Sequence, residues 1–345
     1  MKKFINNPNT FVEDSLRGIL TAYSDSLRPH PKDLKAIFRV GFEDRNKVSI
    51  ITGGGYGHLP AFLGYVGKGL CDGAAVGNVF SSPSANTIYN VTTSVPSKNG
   101  VLYVIGNYMG DLMNFEMAAE KSLVDNIQTA IVSVSDDVAS APRDEWKNRR
   151  GISGIVFIYK VVGAAAVSGR SLEELIRIAE KANENLASYG VAFTPCQLPG
   201  TNSPVFEISG DEMELGIGIH GEPGVRRTRI MSSRDIAALT ADTLINDLSL
   251  QKGDRIAVLV NGLGATSKEE QFLLYQDVYT LFSSYGIQPV RSFVGEYATS
   301  LEMSGASVSV LRLDDELLRL IDEPAASPFV CFQGANKDFE KDRSV

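Results

Sequence analysis

The chain has only three histidines, and two of them stand in glycine-rich turns. His58 ends GGGYGH (53–58) directly after the apolar run VSIIT, and His220 lies inside GIGIHGEPG (216–224). A third such segment, GNYMGD (106–111), delivers Asp111. Glycine lets backbone approach a small ligand closely, so each segment offers one proton-transferring group at a place where a ligand fits. Taken singly the signals are weak, because a lone histidine is more often a structural hydrogen-bonder and an aspartate after glycine is usually a turn residue. Jointly they point to proton-transfer chemistry on a small ligand. His30, between prolines in LRPHPKD, reads as a loop residue. A zinc site from His58, Asp111 and His220 is conceivable by ligand type but ranks lower, since no HxxxH or HxH pair nucleates it.

A strand running into glycines has the look of a phosphate-holding turn, yet the nucleotide motifs fail residue by residue. GGGYGH is followed by neither Gly-Lys-Ser/Thr nor a GxGxxG register. GYVGKGL (64–70) contains Gly-Lys, but glycine follows and Phe62 stands where the first P-loop glycine belongs. VNGLGATS (260–267) lacks a third glycine in register. Both read as tight turns, so phosphate must come from elsewhere.

The elements that must position these groups are α/β in rhythm. VSIITGG (48–54), GVLYVIGNY (100–108) and IQTAIVSVSD (127–136) are continuous apolar runs of the kind that form buried parallel strands. Helix-compatible segments such as 114–126 lie between them. Thr10 with Glu13, and Ser171 with Glu174, have capping-box spacing. They predict an opening helix and a long amphipathic helix from Ser171 that stops at Gly190. FEISGDEMELGIGIHG (206–221) alternates as antiparallel strands do. Beyond it come a helix at SRDIAALTADTLINDL, a strand at RIAVLVNGLG, a helix at SKEEQFLLYQDVYTLFSSYG, and strands at IQPVRSFVGEY and VSVLRLDDE. The expectation is two α/β domains with layered sheets flanked by helices and the ligand site between them. Residues 1–185 form the first, joined by 322–345, and residues 186–321 form the second.

Composition agrees with a folded protein that handles small molecules. The chain has 345 residues, 43% hydrophobic and 21% charged, enough for two cores and too apolar for disorder. A net charge of −8 and a pI near 5.1 leave no basic face for nucleic acid or anionic lipid. No apolar run of membrane-spanning length occurs, and the expected location is the cytoplasm. Cys71, Cys196 and Cys331 are odd in number and without metal-ligand spacing, which predicts reduced core or near-core thiols. The last eleven residues, ANKDFEKDRSV, are polar and read as a frayed end.

The set GGGYGH, GYVGKGL, GNVFSSPS (77–84), NYMGDLMNFEMAAE (107–120), DDVAS (136–140), GIGIHGEPG, VNGLG and TSLEMSG (299–305) resembles the dihydroxyacetone kinase family. The match is to its substrate-binding subunit, usually called DhaK, in order from about residue 5 to about residue 333. The resemblance implies that His220 adds to a ketone carbon and holds the substrate as a covalent hemiaminal. It implies that His58 hydrogen-bonds the substrate and assists proton transfer, and that Asp111 takes the proton from the hydroxyl receiving the phosphoryl group. Gly55, Tyr56, Gly57, Ser82 and Gly106 fall at substrate-contacting positions. No cofactor is expected on this chain. The implied partners are a DhaL-like subunit carrying ATP or ADP with magnesium, a phosphotransferase-system component that recharges it, and a second copy in a homodimer. A carbonyl trap of this kind also rejects glycerol, which has no electrophilic carbon.

Four positions depart from the pattern. Tyr56 and Leu59 replace the Ser and Glu of GGGSGHEP, Gly106 replaces the lysine before NYxGD, and Asn78 replaces the Glu of GEVFTSP. The expectation is a less charged pocket, opened at Gly106 for a longer ketose such as erythrulose. Some relatives keep the histidine trap and serve as ligand-sensing co-activators of a transcription factor. Retention of both His58 and Asp111 favours the kinase.

Overall fold

The computed structural model describes residues 3–42, 46–96 and 98–334; the polar tail read above as frayed lies outside them. The first sheet has the order β1-β2-β4-β3-β5-β6, from β1 (Leu27–His30), β2 (Asp33–Arg39), β3 (Ser49–Tyr56), β4 (Gly73–Val79), β5 (Val101–Gly106) and β6 (Thr129–Val134). Strands β3 to β6 are mutually parallel, as buried apolar runs require, while β1 and β2 add an antiparallel edge. The second sheet has the order β11-β10-β12-β7-β8-β9, from β7 (Leu186–Thr194), β8 (Glu212–Leu215), β9 (Arg226–Arg229), β10 (Arg255–Gly262), β11 (Gln288–Gly295) and β12 (Ser304–Leu313). Here only β10 and β11 pair in parallel.

Eight α-helices occur among the described residues: α1 (Phe11–Ala22), α2 (Ala85–Ser94), α3 (Met109–Val124), α4 (Ile155–Val167), α5 (Leu172–Glu184), α6 (Ser233–Leu248), α7 (Lys268–Ser284) and α8 (Asp315–Asp322). The strand pleat sorts them into layers, because successive side chains face opposite ways. Ile50, Leu102 and Val104 share one core with α4, α5 and α8, and so do Ala257, Leu259 and Leu311 of the second sheet. Their neighbours Ile51, Tyr103 and Ile105 face α2 and α3 instead, and Ile256, Val258 and Val260 face α6 and α7. The result is helix, sheet, helix, sheet, helix. The central layer holds α4, whose residues 155–166 are all buried. Lys160 in it spans to the C-terminal end of α8, donating to the carbonyls of Leu320 and Glu323. A cation there meets the negative end of the helix dipole.

Three expectations need correction. The helix from Ser171 forms its capping box but ends at Glu184, and the ASYG stretch belongs to the core strand β7. Thr10 precedes α1 without a side-chain cap, because its hydroxyl bonds Asp14 while Glu13 pairs with Lys35. Cys71 and Cys196 are buried thiols, but Cys331 is exposed. We propose 1–185, joined by the segment that begins at 322, and 186–321 as the two domains. In support, Ala326 pairs with Lys68 and the Ser327 hydroxyl bonds the Gly64 carbonyl, returning the chain to the first unit.

Candidate active site

His58 follows β3, Asp111 sits in the first turn of α3 after β5, and His220 lies between β8 and β9. The imidazoles of His58 and His220 meet edge to face, with ring centroids 4.8 Å apart. The His220 charge also acts on the Asp111 carboxyl. Thus the three residues singled out by type and setting converge between the two sheets.

His58 is fixed from the opposite sheet. Its Nδ1 lies 2.8 Å from the Thr299 carbonyl, an acceptor only, so Nδ1 carries the proton and Nε2 presents a lone pair. Thr299 and Leu301 donate their backbone N–H groups to the carbonyls of His58 and Gly57, clamping the turn. The imidazole is fully buried. Burial, then the His220 charge, lowers its pKa to about 3. It is therefore a neutral hydrogen-bond acceptor at physiological pH, suited to orient a substrate hydroxyl. The donor for a developing alkoxide must be another group.

Phe80, not anticipated from the sequence, stacks on His58 at 4.8 Å and 13° and meets His220 edge on at 5.3 Å. Its backbone is left-handed at φ 55°, a conformation costly for a bulky residue and maintained at this site by surrounding contacts. Gly57, at φ 108°, makes the stack possible, because a Cβ there would lie 2.8 Å from the Phe80 ring.

His220 is oriented by Glu222, also not anticipated. The carboxylate takes the His220 backbone N–H at 2.8 Å with one oxygen and faces Nδ1 at 2.8 Å with the other. With the proton on Nδ1, the Nε2 lone pair is free to attack. Burial pushes the Glu222 carboxyl up, but the hydrogen bond and charge of His220 outweigh it and hold it at about 2. Arg150 stands behind this pair, bonded to Asp137 at 2.9 Å.

Asp111 is 4% exposed, and burial raises its pKa to about 6 against the hydrogen bond from Ser82. Ser82 thereby supports Asp111. Three buried side-chain atoms near His220 lack any partner: His58 Nε2, Asp111 Oδ1 and the Tyr108 hydroxyl. Orphaned buried polar atoms are rare. These comprise two acceptors and, since burial holds the Tyr108 phenol well above its usual range, one donor.

The remaining predicted positions divide. The Gly55 backbone lies against Phe80 and Ser81, where a Cβ would come within 2.7 Å of the Ser81 nitrogen. The Tyr56 side chain turns away from the histidines into the packing of Val12 and Leu16, its hydroxyl 2.5 Å from Ser15. Leu59 packs against that same cluster, and Asn78 accepts from Lys35. Gly106 does abut the site, but the space above it is occupied: a Cβ there would lie 3.2 Å from the Tyr108 ring, which meets His220 at 4.8 Å. The expected gain in pocket length is therefore corrected: the space beside Gly106 is taken by the ring of Tyr108, the tyrosine of NYxGD itself. Among the described residues no group of three or more His, Cys, Asp or Glu is arranged to hold a metal ion.

Comparison with known proteins places this geometry in a family. The chain is 40% identical to the dihydroxyacetone-binding subunit DhaK of PTS-dependent dihydroxyacetone kinase 1 of Listeria innocua, over 92% of this chain and 95% of that one. It is 42% identical to the D-erythrulose kinase of Mycolicibacterium smegmatis, over 95% of this chain but only 56% of that longer protein. Among solved structures, the dihydroxyacetone kinase operon co-activator Dha-DhaQ superposes with a TM-score of 0.87 at 30% identity, covering 94% of this chain and 99% of its own. Residues 17–329 match the Dak1 domain, and the chain belongs to that family.

Proposed function

We propose that this chain is the ketose-binding subunit of a two-part kinase acting on a short-chain ketose, dihydroxyacetone or erythrulose. The observation that carries the reading is the set of unpartnered buried atoms on His58, Tyr108 and Asp111 around an oriented imidazole. A hydroxy-ketone offers a carbonyl carbon to the His220 nucleophile, a carbonyl oxygen to a donor, and hydroxyl protons to the two acceptors. His220 Nε2 adds to the carbonyl carbon. The C=O π pair moves to oxygen, which takes the proton of the Tyr108 hydroxyl to become a hydroxyl, while the Nδ1 proton passes to Glu222 and an equal proton returns to the Tyr108 phenolate by exchange with solvent. No atom is lost, so the adduct is a hemiaminal.

Asp111 then withdraws the proton of the terminal hydroxyl as its oxygen attacks the incoming phosphoryl group. With a pKa near 6 it is ionised at neutral pH and still basic enough to serve. The phosphoryl donor, ATP or a phosphotransferase relay through ADP with magnesium, belongs to the partner subunit. A cytoplasmic location and a homodimer are part of the same reading and rest on the family resemblance. A co-activator needs only the trap, whereas the buried, basic Asp111 serves transfer.

The test is a ketose panel with ATP, with and without the cognate nucleotide-binding subunit. Phosphorylation of dihydroxyacetone or either erythrulose enantiomer is expected only with that subunit present. Robust transfer by the isolated chain would overturn the two-part reading. Ketose binding without transfer, together with capture by a DNA-binding protein, would favour the co-activator.

A further inference from the structure

The turn that carries His220 belongs to the second sheet, whereas His58, Tyr108 and Asp111 follow strands of the first, so the chemistry requires the two to be held in register. Thr299 and Leu301 tie the His58 turn to the second sheet. The reverse tie comes from Arg150, in the segment between β6 and α4. Its backbone is set on the strand end that leads to Asp111. Gly151, the next residue, packs so closely there that a Cβ on it would lie 2.8 Å from the Gly106 Cα and 3.0 Å from the Asn107 nitrogen. The Asn107 side chain in turn donates to the Arg149 carbonyl at 2.7 Å.

The Arg150 side chain reaches the other way. Nε and Nη2 both meet Asp137 Oδ2, at 2.9 and 2.8 Å, and Nη2 also donates to the Gly216 carbonyl at 3.4 Å. Nη1 comes up against Gly218, where a Cβ would lie 2.9 Å from it and 2.2 Å from Glu222 Oε2. Glycine at 218 is therefore what lets the guanidinium and the carboxylate flank one backbone position. Asp137 is fully buried and its other oxygen accepts the Ala139 N–H at 3.1 Å, which fixes the anchor. Glu222 orients the His220 ring, but both lie on the same turn, so their bond moves with it. The second sheet holds that turn at its base, where Gly216 donates to Gly190 and Val225 to Leu215. Arg150 grips it nearer the imidazole, two residues before His220 and from the side of Asp111.

We propose that Arg150, anchored by Asp137, is a positioning residue that sets the distance of the His220 nucleophile from the groups on the first sheet. The proposal rests on the hemiaminal reading above. Arginine suits the task because its planar fork bonds Asp137 and lies against Gly216 and Gly218 at once, whereas lysine is a single point of charge that satisfies Asp137 alone. A reacting group displaced by about 1 Å can lose roughly a hundredfold in rate.

Arg150→Lys tests this, with Arg149→Lys as the control, because Arg149 is buried on the same segment and its guanidinium pairs with Asp247 of α6. Arg150→Met/Asp137→Asn removes the pair without stranding a buried charge and serves if the lysine variant does not fold. Each isolated chain is mixed with dihydroxyacetone and the adduct followed by time-resolved native mass spectrometry, with melting temperature measured alongside. Arg150→Lys and the double variant should form the His220 adduct at least about tenfold more slowly than the wild type. Arg149→Lys should lower the melting temperature while keeping the wild-type rate. Wild-type rates in Arg150→Lys and the double variant overturn the proposal, and an equal slowing in Arg149→Lys overturns it in favour of a general loosening of the segment. Absence of the adduct on the wild-type chain would instead refute the hemiaminal reading, and the positioning role with it.

Discussion

Replacing Asp111 by asparagine should abolish transfer and stabilise the ligand-free protein, with a pH dependence that identifies the cause. The carboxyl is 4% exposed, has one oxygen without a partner, and is raised by burial from 3.8 to about 6. A rise of about two units corresponds to about 3 kcal/mol. The sign follows from proton uptake. Between pH 4 and pH 6 the folded chain holds the proton more tightly than the unfolded chain, so stability falls as pH rises through this window and is lowest above it. Asparagine keeps the shape and cannot ionise. At about 2.1 cal/mol/K per residue, 3 kcal/mol in a chain of this length is roughly 4 °C in melting temperature. Thermal unfolding of both proteins should therefore show the variant about 4 °C higher at pH 8 and nearly equal below pH 4. A gap that is absent at pH 8, or the same at both pH values, would refute the reasoning.

In the reconstituted enzyme, kcat/KM should rise with pH through a limb near pH 6 as Asp111 ionises. His58, held at about 3, should add no limb between pH 5 and pH 8; a stopped pH profile with a second acidic limb would contradict this. Glu222→Gln should lower the rate of adduct formation by roughly tenfold to a hundredfold and lower the melting temperature at neutral pH, a deficit that fades as pH falls toward 2, because the carboxylate positions His220, accepts its proton and is held well below its unfolded value. Gly57→Ala should cost at least ~1 kcal/mol and raise the ketose KM, since the new methyl must displace Phe80 from His58; urea unfolding and steady-state kinetics read both effects.

His58, Asp111 and His220 were legible because rare, reactive residue types stood on glycine backbone, and their convergence in space followed. Glu222 carries a readable signal, two residues after His220 within one glycine turn. Tyr56 ends β3, and the left-handed turn at Gly57 breaks the two-residue alternation that would set Tyr56 and His58 on one face, so the Tyr56 side chain packs toward α1 while His58 enters the site. Helix α4 is apolar all round and has no helical period to detect. The overlong helix from Ser171 had a good start signal but no glycine stop at its true end, where Asn185 serves instead. Tyr108 over Gly106 is a contact between neighbours two apart that only the bend from β5 into α3 creates.

The claim that ties these observations together is that His220 forms a covalent bond to a ketose. Native mass spectrometry of the isolated chain with dihydroxyacetone or erythrulose measures it directly. The account predicts a reversible species heavier by one whole ketose with no water lost, localised to His220, and absent from His220→Ala. A mass gain reduced by one water, indicating an imine on a lysine, or unchanged ketose affinity in His220→Ala would contradict it.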